Sequence, residues 1–340
     1  MAVMRSRFVR SLASNGQQRR KPLPLIRPLH PALTAIELSP VASASNPLLQ
    51  PTLVYVLKGA DSVVLINSGH QAQQAELVAA LTQLGVHRED VERIVITGVW
   101  PDLYGGIELF EGADVCTLAA TQVHVDRALQ GAATDLKGRL ASSAASIWPG
   151  GPPPRVRTFL DDYLTIPGRT AHAVGLTDGL RLNLAGFLME VMATPGHLQR
   201  GLSLFEPSEG WVFSGDLVQI TDGTCWTTDP DQTMQSFEAL ERREAKQLMP
   251  NRGLIGAANV ALTRGGRTVM GFMTNMPTVV NDTVTPIELV ARDLTMSDAN
   301  SLRFLLFAQG YAALLELLVQ TGTFAVEGQG LTARYRAARQ

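Results

Sequence analysis

The sequence predicts an α/β (α+β) fold, and three observations support this prediction. Runs of β-branched residues typical of buried strands alternate with amphipathic helical segments along most of the chain. Of the 340 residues, 45% are hydrophobic and 18% are charged, which favours a large buried core and excludes disorder of the whole chain. No run of 18 uninterrupted apolar residues occurs, so we expect no membrane-spanning helix.

The chain begins with a basic segment. Residues 1–30 contain seven Lys or Arg residues and no acid, which leaves a charge of −9 on the remainder of a chain whose net charge is −2. An acidic body argues against nucleic-acid binding. The segment lacks the apolar stretch of a secretory signal, and the chain has only two cysteines. We therefore expect a cytoplasmic protein, with an organellar presequence as the alternative, and an irregular tail over residues 1–50.

The first ordered elements are predicted over residues 52–97. Two β-branched runs, 52–57 and 63–66, flank a Gly-Ala-Asp turn and predict a β-hairpin. Apolar residues at helical spacing over 72–84, with Gly85 as the stop, predict an amphipathic helix. Residues 91–97 then predict a buried strand.

The rest of the chain predicts a second group of strands and a helical C-terminal segment. A helix is expected over 121–129, strands over 187–193, 202–205 and 211–214, and a helix over 232–246. Pro286 behind Thr285 predicts a capped helix start. It is followed by a short helix around 305–307, a long one over 311–320 and a hairpin over 323–335. We therefore divide the chain into a tail (1–50), a main domain (51–283) and a winged-helix-like extension (284–340).

Four short motifs follow predicted strands. They are L-I-N-S-G-H at 65–70, T-G-V-W-P-D-L-Y-G-G at 97–106, A-T-P-G-H at 193–197 and V-F-S-G-D-L at 212–217. Their order and spacing over about 52–256 resemble the metallo-β-lactamase superfamily, which includes glyoxalase II and lactonases. The resemblance implies an αββα sandwich of two mixed sheets with helices outside, and two metal ions held by loops at one edge.

The first metal motif keeps its register but loses most of its ligands. In the family this motif reads T-H-x-H-x-D-H-x-G-G. Here Gly98 and Trp100 stand at the first two histidine positions, Asp102 is retained, and Leu103 replaces the third histidine. We expect the Trp100 side chain to fill the space that a metal would take.

By the same resemblance, His197 and Asp216 match the next ligand and the bridging carboxylate, and Arg252 takes the place of the last histidine. Three of seven ligand positions are thus retained. An arginine side chain stays protonated, so we expect Arg252 to stand in for a metal by bonding Asp216 or Asp102. The alternatives are a single divalent metal (Zn, Mn or Fe) on Asp102, His197 and Asp216, and a site that binds nothing.

Local roles compete with these site roles. Asp102 follows a proline, so it is also interpreted as the N-cap of a helix that opens at Leu103. His70 is expected at the surface rather than in the site. Asn67 stands where the family has an acid, which weakens the support for metal ligands.

Two functions follow from this reading. The first is a non-catalytic or metal-independent descendant of a hydrolase that binds a small molecule or a partner in the inherited cleft. The alternative is an active hydrolase of esters, thioesters or lactones. It would use either the residual metal, or His197 as general base with Asp216 orienting it and Arg252 stabilising an oxyanion. The predicted helix over 311–320 has no basic residue, so we expect the extension to shape the cleft or join copies of the chain rather than bind DNA.

Overall fold

The computed structural model describes residues 24–41, 51–131, 134–165, 172–197, 201–218, 227–280 and 282–338. Within these residues, two mixed β-sheets pack face to face and helices cover their outer faces, which confirms the predicted α/β class. Cys225 and most of the basic N-terminal segment lie outside the described residues.

The first sheet runs in sequence order through seven strands of the described chain. Its antiparallel first half and parallel second half meet at the fourth strand, which pairs with the third as the predicted hairpin. The strands are β1 (Leu25–His30), β2 (Leu33–Leu38), β3 (Thr52–Lys58), β4 (Val63–Ile66), β5 (Val91–Ile96), β6 (Asp114–Leu118) and β7 (Val174–Leu176).

Strands β1 and β2 correct the expectation that residues 1–50 form an irregular tail. Ile36 and Leu38 of β2 are fully buried against the core, and β2 pairs with β3 along its length. An ion pair between Arg27 and Glu37, at 2.5 Å, joins β1 to β2. The surrounding proline and polar residues concealed this short strand pair in the sequence.

The second sheet has six strands in the described chain, and the predicted strands at 187–193, 202–205 and 211–214 form its centre. Neighbouring strands are antiparallel except for one parallel pair, β11 with β12. The strands are β8 (Arg181–Leu184), β9 (Phe187–Ala193), β10 (Leu202–Glu206), β11 (Trp211–Gly215), β12 (Gln247–Pro250) and β13 (Gly256–Ala257).

Helices of the described chain flank both sheets. They are α1 (Gln74–Gln83), α2 (Pro101–Tyr104), α3 (Ala119–Leu129), α4 (Asp135–Ile147), α5 (Pro154–Thr158), α6 (Pro230–Glu241), α7 (Ala258–Val279), α8 (Pro286–Asp293) and α9 (Ser301–Gln320). The sequence did not predict α4 and α7. Their many small and polar residues, and a proline inside α7, weaken the helical pattern. The two helices expected after residue 300 are one helix, and α6 ends five residues earlier than expected.

The hydrophobic core forms three layers. Tyr55 and Phe213 lie between the two sheets. Leu77 of α1 and Leu305 of α9 share the layer outside the first sheet, whereas helices α6 and α7 cover the second sheet. Because α9 packs into the main core, the C-terminal segment is continuous with the sandwich.

Two of the C-terminal elements, the capped helix start and the hairpin, match the prediction. Thr285 caps α8 in a capping box, and β14 (Phe324–Glu327) and β15 (Arg334–Ala337) form the predicted antiparallel hairpin. Their description as a winged helix stays a prediction.

One helical stretch of the described chain, Asp298–Gln320, is long and apolar enough to cross a membrane. In its most apolar window, 56% of the residues are buried inside the fold. The stretch includes α9, whose Leu305 and Leu315 are fully buried, so its hydropathy is that of a helix packed in the protein core.

Two glycine-to-alanine variants test how closely the loop after α2 is packed. A Cβ atom on Gly106 would lie 2.1 Å from the Ser68 carbonyl oxygen, whereas one on Gly138, inside α4, would meet nothing within 4 Å. We expect Gly106→Ala to lower the free energy of unfolding by about 1–3 kcal/mol. Gly138→Ala should raise it by about 0.5–1 kcal/mol. Urea unfolding measures both, and equal effects would contradict the packing described here.

Candidate functional site

The candidate site lies where strands of both sheets end. Residues 97–106 follow β5, Asp216 follows β11, and Arg252 follows β12. Backbone hydrogen bonds join these loops both between the two sheets and within the second sheet. The Leu202 amide donates to the Thr97 carbonyl oxygen at 3.0 Å, and the Asn251 amide donates to the Gly215 carbonyl oxygen at 2.9 Å. The ends of these strands therefore bring together polar residues that are far apart in the sequence.

At the centre, the Arg252 guanidinium lies between two carboxylates. Its Nη1 atom donates to Asp216 Oδ1 at 2.5 Å, and its Nη2 atom donates to Asp102 Oδ2. The side chains of Arg252 and Asp102 are each 2% exposed and that of Asp216 is 6% exposed. The sequence predicted a bond from Arg252 to Asp216 or Asp102, and the structure contains both. We refer to these three residues as the charged cluster.

Burial and charge act in opposite directions on the charged cluster. Burial alone would raise the pKa of Asp102, but the Arg252 charge and hydrogen bonds from Thr52 and Tyr163 outweigh it, so this pKa is lowered from its ordinary value. Burial alone would lower the pKa of Arg252, and the carboxylates of Asp102 and Asp216 raise it overall. The cluster therefore holds one fixed cation that cannot lose its proton.

The backbone around Arg252 connects the two sheets. Arg252 forms an isolated antiparallel bridge with Thr52, and the Leu53 amide donates to the Asn251 carbonyl oxygen at 2.7 Å. The Tyr55 hydroxyl donates to the Pro250 carbonyl oxygen at 2.7 Å. Strand β3 of the first sheet thus holds the end of β12 in the second. Thr52 also donates from its Oγ1 atom to Asp102 Oδ2 at 2.8 Å.

A buried amide network lies beside the charged cluster. Asn67, with φ at +64°, accepts from the Thr97 amide at 3.0 Å and donates from Nδ2 to Asn251 Oδ1 at 2.6 Å. All three of these side chains are fully or almost fully buried. An asparagine can supply both a donor and an acceptor here, so the position that the family fills with an acid serves as a link between loops.

Aromatic rings cover the charged cluster. The Cζ atom of Arg252 lies 5.8 Å from the ring centroid of Trp100, whose side chain is buried as predicted. Trp100 in turn contacts Phe159 and Tyr163, whose own rings stack with centroids 5.2 Å apart. Phe159 and Tyr163 are the ends of a π-helical turn that directly follows α5. Tyr163 also faces His70 in a stack with centroids 4.9 Å apart.

Two local predictions were wrong. Helix α2 begins at Pro101 with Trp100 as its N-cap residue, so the Asp102 side chain bonds Arg252 instead of capping the helix. His70 is buried, not exposed. Its Nδ1 atom accepts from the Ala72 amide at 3.0 Å, and its Nε2 atom lies 3.1 Å from the Tyr163 carbonyl oxygen. Burial lowers the pKa of His70 against the opposing effects of that carbonyl and Asp102.

His197, the remaining predicted ligand, lies in the loop after β9 with 4% of its surface exposed. The carbonyl oxygen of the preceding residue, Gly196, accepts from the backbone amides of Thr228 and Asp229 at 2.9 and 3.0 Å. These bonds tie the His197 loop to the start of α6. A Cβ atom on Gly196 would lie within 2.6 Å of the Thr233 backbone, so only glycine fits there.

The residues of the site do not fit a metal ion. Asp102 and Asp216 both bond the guanidinium, and over the described residues no group of three His, Cys, Asp or Glu side chains is arranged to hold one. At Gly98, a Cβ atom would lie 3.7 Å from Asp216 Oδ2 but only 3.0 Å from the Leu103 side chain. Position 98 thus faces the charged cluster, and Leu103 takes the adjacent space.

Comparison with known proteins identifies the family and the fold. Residues 48–250 match the model of the metallo-beta-lactamase superfamily. A metallo-beta-lactamase family protein from Thermus thermophilus is 22% identical, with a TM-score of 0.71, over 91% of this chain and 100% of that one. A beta-lactamase domain protein from Burkholderia ambifaria is 16% identical, with a TM-score of 0.67, over 94% and 96%. A metallo-beta-lactamase from Pontibacter korlensis is 17% identical, with a TM-score of 0.51, over 73% and 99%.

Removing the central cation should strongly destabilise the fold. We expect Arg252→Met to lower the free energy of unfolding by about 3–5 kcal/mol, because two carboxylates stay buried without their partner. The control is Arg243→Met, which breaks a partly exposed pair with Glu190, also 2.5 Å long, and should cost less than about 1 kcal/mol. The triple variant Asp102→Asn, Asp216→Asn, Arg252→Met should recover part of the loss. Urea unfolding at pH 7 compares the four proteins, and equal costs for the two arginines would contradict the role of burial.

The charged cluster should also make stability depend on acid pH. The pKa of Asp102 is lower in the folded state than in the unfolded state. The Asp102 carboxylate therefore contributes fully to the free energy of unfolding above about pH 4, and this contribution is lost as the pH falls through the folded-state pKa. We therefore expect the stability advantage of the natural protein over Asp102→Asn to be constant near neutral pH and to shrink below about pH 4. Urea unfolding at several pH values measures the difference. A difference that widens in acid would show that Asp102 is not held as a carboxylate.

Proposed function

The chain belongs to the metallo-β-lactamase superfamily, and from this premise we propose that it uses the hydrolase-like scaffold of that family to bind a small molecule, without metal-dependent catalysis. The observation that supports the proposal is the buried contact of Arg252 with both Asp102 and Asp216. These carboxylates occupy two of the three family ligand positions that the sequence retains.

A guanidinium and a divalent metal compete for the same carboxylate oxygens. Zinc sites in proteins have about four N, S or O ligands, and all of them must be deprotonated when the metal binds. Arg252 cannot become a ligand, since the two carboxylates raise its pKa further. A metal at Asp102 and Asp216 would have to displace this cation within a low-dielectric interior, where repulsion between like charges is strong.

The same contact limits the hydrolase alternative. Hydrolysis by this scaffold at neutral pH relies on a water molecule activated by metal, which the present donor set does not support. A metal-free mechanism would need Asp216 to orient His197 as a general base, and because Asp216 Oδ1 accepts from Arg252, that role would fall to Oδ2. Arg252 itself lies beneath Trp100 and is almost completely buried, which hinders its access to a substrate oxyanion.

Metal analysis and a designed variant test the proposal. We expect the natural protein to purify with far less than one equivalent of Zn, Mn or Fe and to hydrolyse no ester, thioester, lactone or β-lactam when these metals are added. The variant Leu103→His, Arg252→His restores both missing histidines of one metal site beside Asp102 and Asp216. It should bind about one Zn²⁺, because four ligands then meet the tetrahedral requirement.

The single variant Leu103→His is the matched control, because it gains a histidine but keeps the guanidinium. It should bind no metal more tightly than the natural protein does. Elemental analysis after dialysis and zinc titration by calorimetry give the occupancies. About one equivalent of metal in the natural protein, or turnover abolished by His197→Ala, would overturn the proposal in favour of an active hydrolase.

A further inference from the structure

A cavity of about 340 Å³ lies between α4 and α9, apart from the charged cluster. We propose that this cavity binds a small zwitterion, such as an amino acid or a dipeptide, with its carboxylate at Arg139 and its amino group at Glu316. The inference rests on the proposed function, because it identifies the ligand class and the place where a binding protein of this kind would hold it.

One wall of the cavity is a polar face of α4. Arg139, Ser142, Ser143 and Ser146 line it at helical spacing, so their side chains project toward the same side. Serine is a weak helix former, and its hydroxyl competes for backbone groups: Ser146 donates to the Ser142 carbonyl oxygen at 3.1 Å. The three serine hydroxyls on this face can both donate hydrogen bonds to a polar ligand and accept them.

The opposite wall is α9, where small residues leave room between the helices. Ala312 and Ala313 line the cavity, and Gln309 donates from Nε2 to Ser143 Oγ at 3.0 Å across to α4. Glu316 is the one acidic residue of this apolar helix. Burial raises the pKa of Glu316, so a positively charged group beside it would stabilise the carboxylate.

The two charges at the cavity have opposite signs and suit a ligand that carries both. A guanidinium binds a carboxylate through two parallel hydrogen bonds. A carboxylate accepts the hydrogen bonds of an ammonium group. The volume is at the lower end of the range for ligand pockets, which favours an amino acid or a dipeptide over a larger molecule.

The cavity also reaches the segment that holds the His197 loop. Thr228 lines it, and the Thr228 backbone amide donates to the Gly196 carbonyl oxygen at 2.9 Å. A ligand between α4 and α9 would therefore lie close to this loop while leaving the buried contacts of Arg252 intact. The proposed ligand site and the charged cluster are separate, so they can be tested separately.

Calorimetric titration of the full chain with a panel of zwitterions tests the inference. The panel contains glycine, alanine, leucine, γ-aminobutyrate and their dipeptides. Each has two matched analogues: the N-acetyl derivative lacks the positive charge, and the amide lacks the negative charge. We expect at least one zwitterion to bind with a Kd below about 1 mM, and both of its analogues to bind at least ten-fold more weakly.

Variants at the two charged positions locate the site. Arg139→Gln and Glu316→Gln should each weaken binding of that zwitterion at least ten-fold. The matched controls, Arg267→Gln on α7 and Glu241→Gln on α6, change exposed residues away from the cavity and should leave binding unchanged. Thermal unfolding checks that all four variants stay folded.

Three results would overturn the inference. The first is that no zwitterion binds at concentrations up to about 10 mM. The second is that the single-charge analogues bind as tightly as the zwitterion. The third is that Arg139→Gln and Glu316→Gln both leave the affinity for the zwitterion unchanged. None of these outcomes bears on metal content or hydrolysis, so a failure here is distinguishable from a failure of the proposed function. Conversely, metal in the natural protein would overturn the proposed function even if a zwitterion bound between α4 and α9.

Discussion

The interaction on which the site depends is the burial of one guanidinium between two carboxylates at the junction of the sheets. Each of these ions loses its hydration, which costs several kcal/mol unless partners replace the water. Arg252 bonds Asp216 through one terminal nitrogen and Asp102 through the other, and its face lies against Trp100. Removal of Arg252 alone would leave two carboxylates buried without a counter-charge, and removal of either carboxylate would leave one terminal nitrogen of the guanidinium without its acceptor. The identities of these three residues are therefore coupled, although they come from segments up to 150 residues apart.

Two carboxylates against one guanidinium leave an excess negative charge, and neighbouring donors reduce its cost. Thr52 donates to Asp102, and a hydrogen bond from Tyr163 also lowers the pKa of that carboxyl group. Burial raises the pKa of Tyr163 well above its ordinary value, so its hydroxyl keeps the proton that it donates. The π-helical turn places Tyr163 here while His70 holds its backbone carbonyl. Such turns often occur at functional sites, and this one positions an aromatic donor over a charge.

The sequence was most informative where short motifs and hydrophobic periodicity act locally. It predicted the hairpin of β3 and β4, the central strands of the second sheet and a bond from Arg252 to Asp216 or Asp102, because motif register fixes which loops meet. It did not reveal that Tyr163 or Thr52 belongs to the site. Tyr163 lies in a segment without a recognisable motif, and its partners Asp102 and His70 are 61 and 93 residues away in the chain. Strands β1 and β2 and helices α4 and α7 were missed because polar and small residues weaken their patterns, while tertiary packing stabilises them.

The loops around the charged cluster are held in place by contacts that do not involve the charged side chains. Gly106 packs directly on the Ser68 carbonyl oxygen, and Asn67, Thr97 and Asn251 link three loops through buried hydrogen bonds. None of these contacts requires a metal ion. Loop position is thus determined by glycine contacts and amides, while the charge at the centre is determined by the side chains of the cluster. Because these two levels are separable, the charged side chains at the centre can differ while the backbone contacts that hold the loops stay the same.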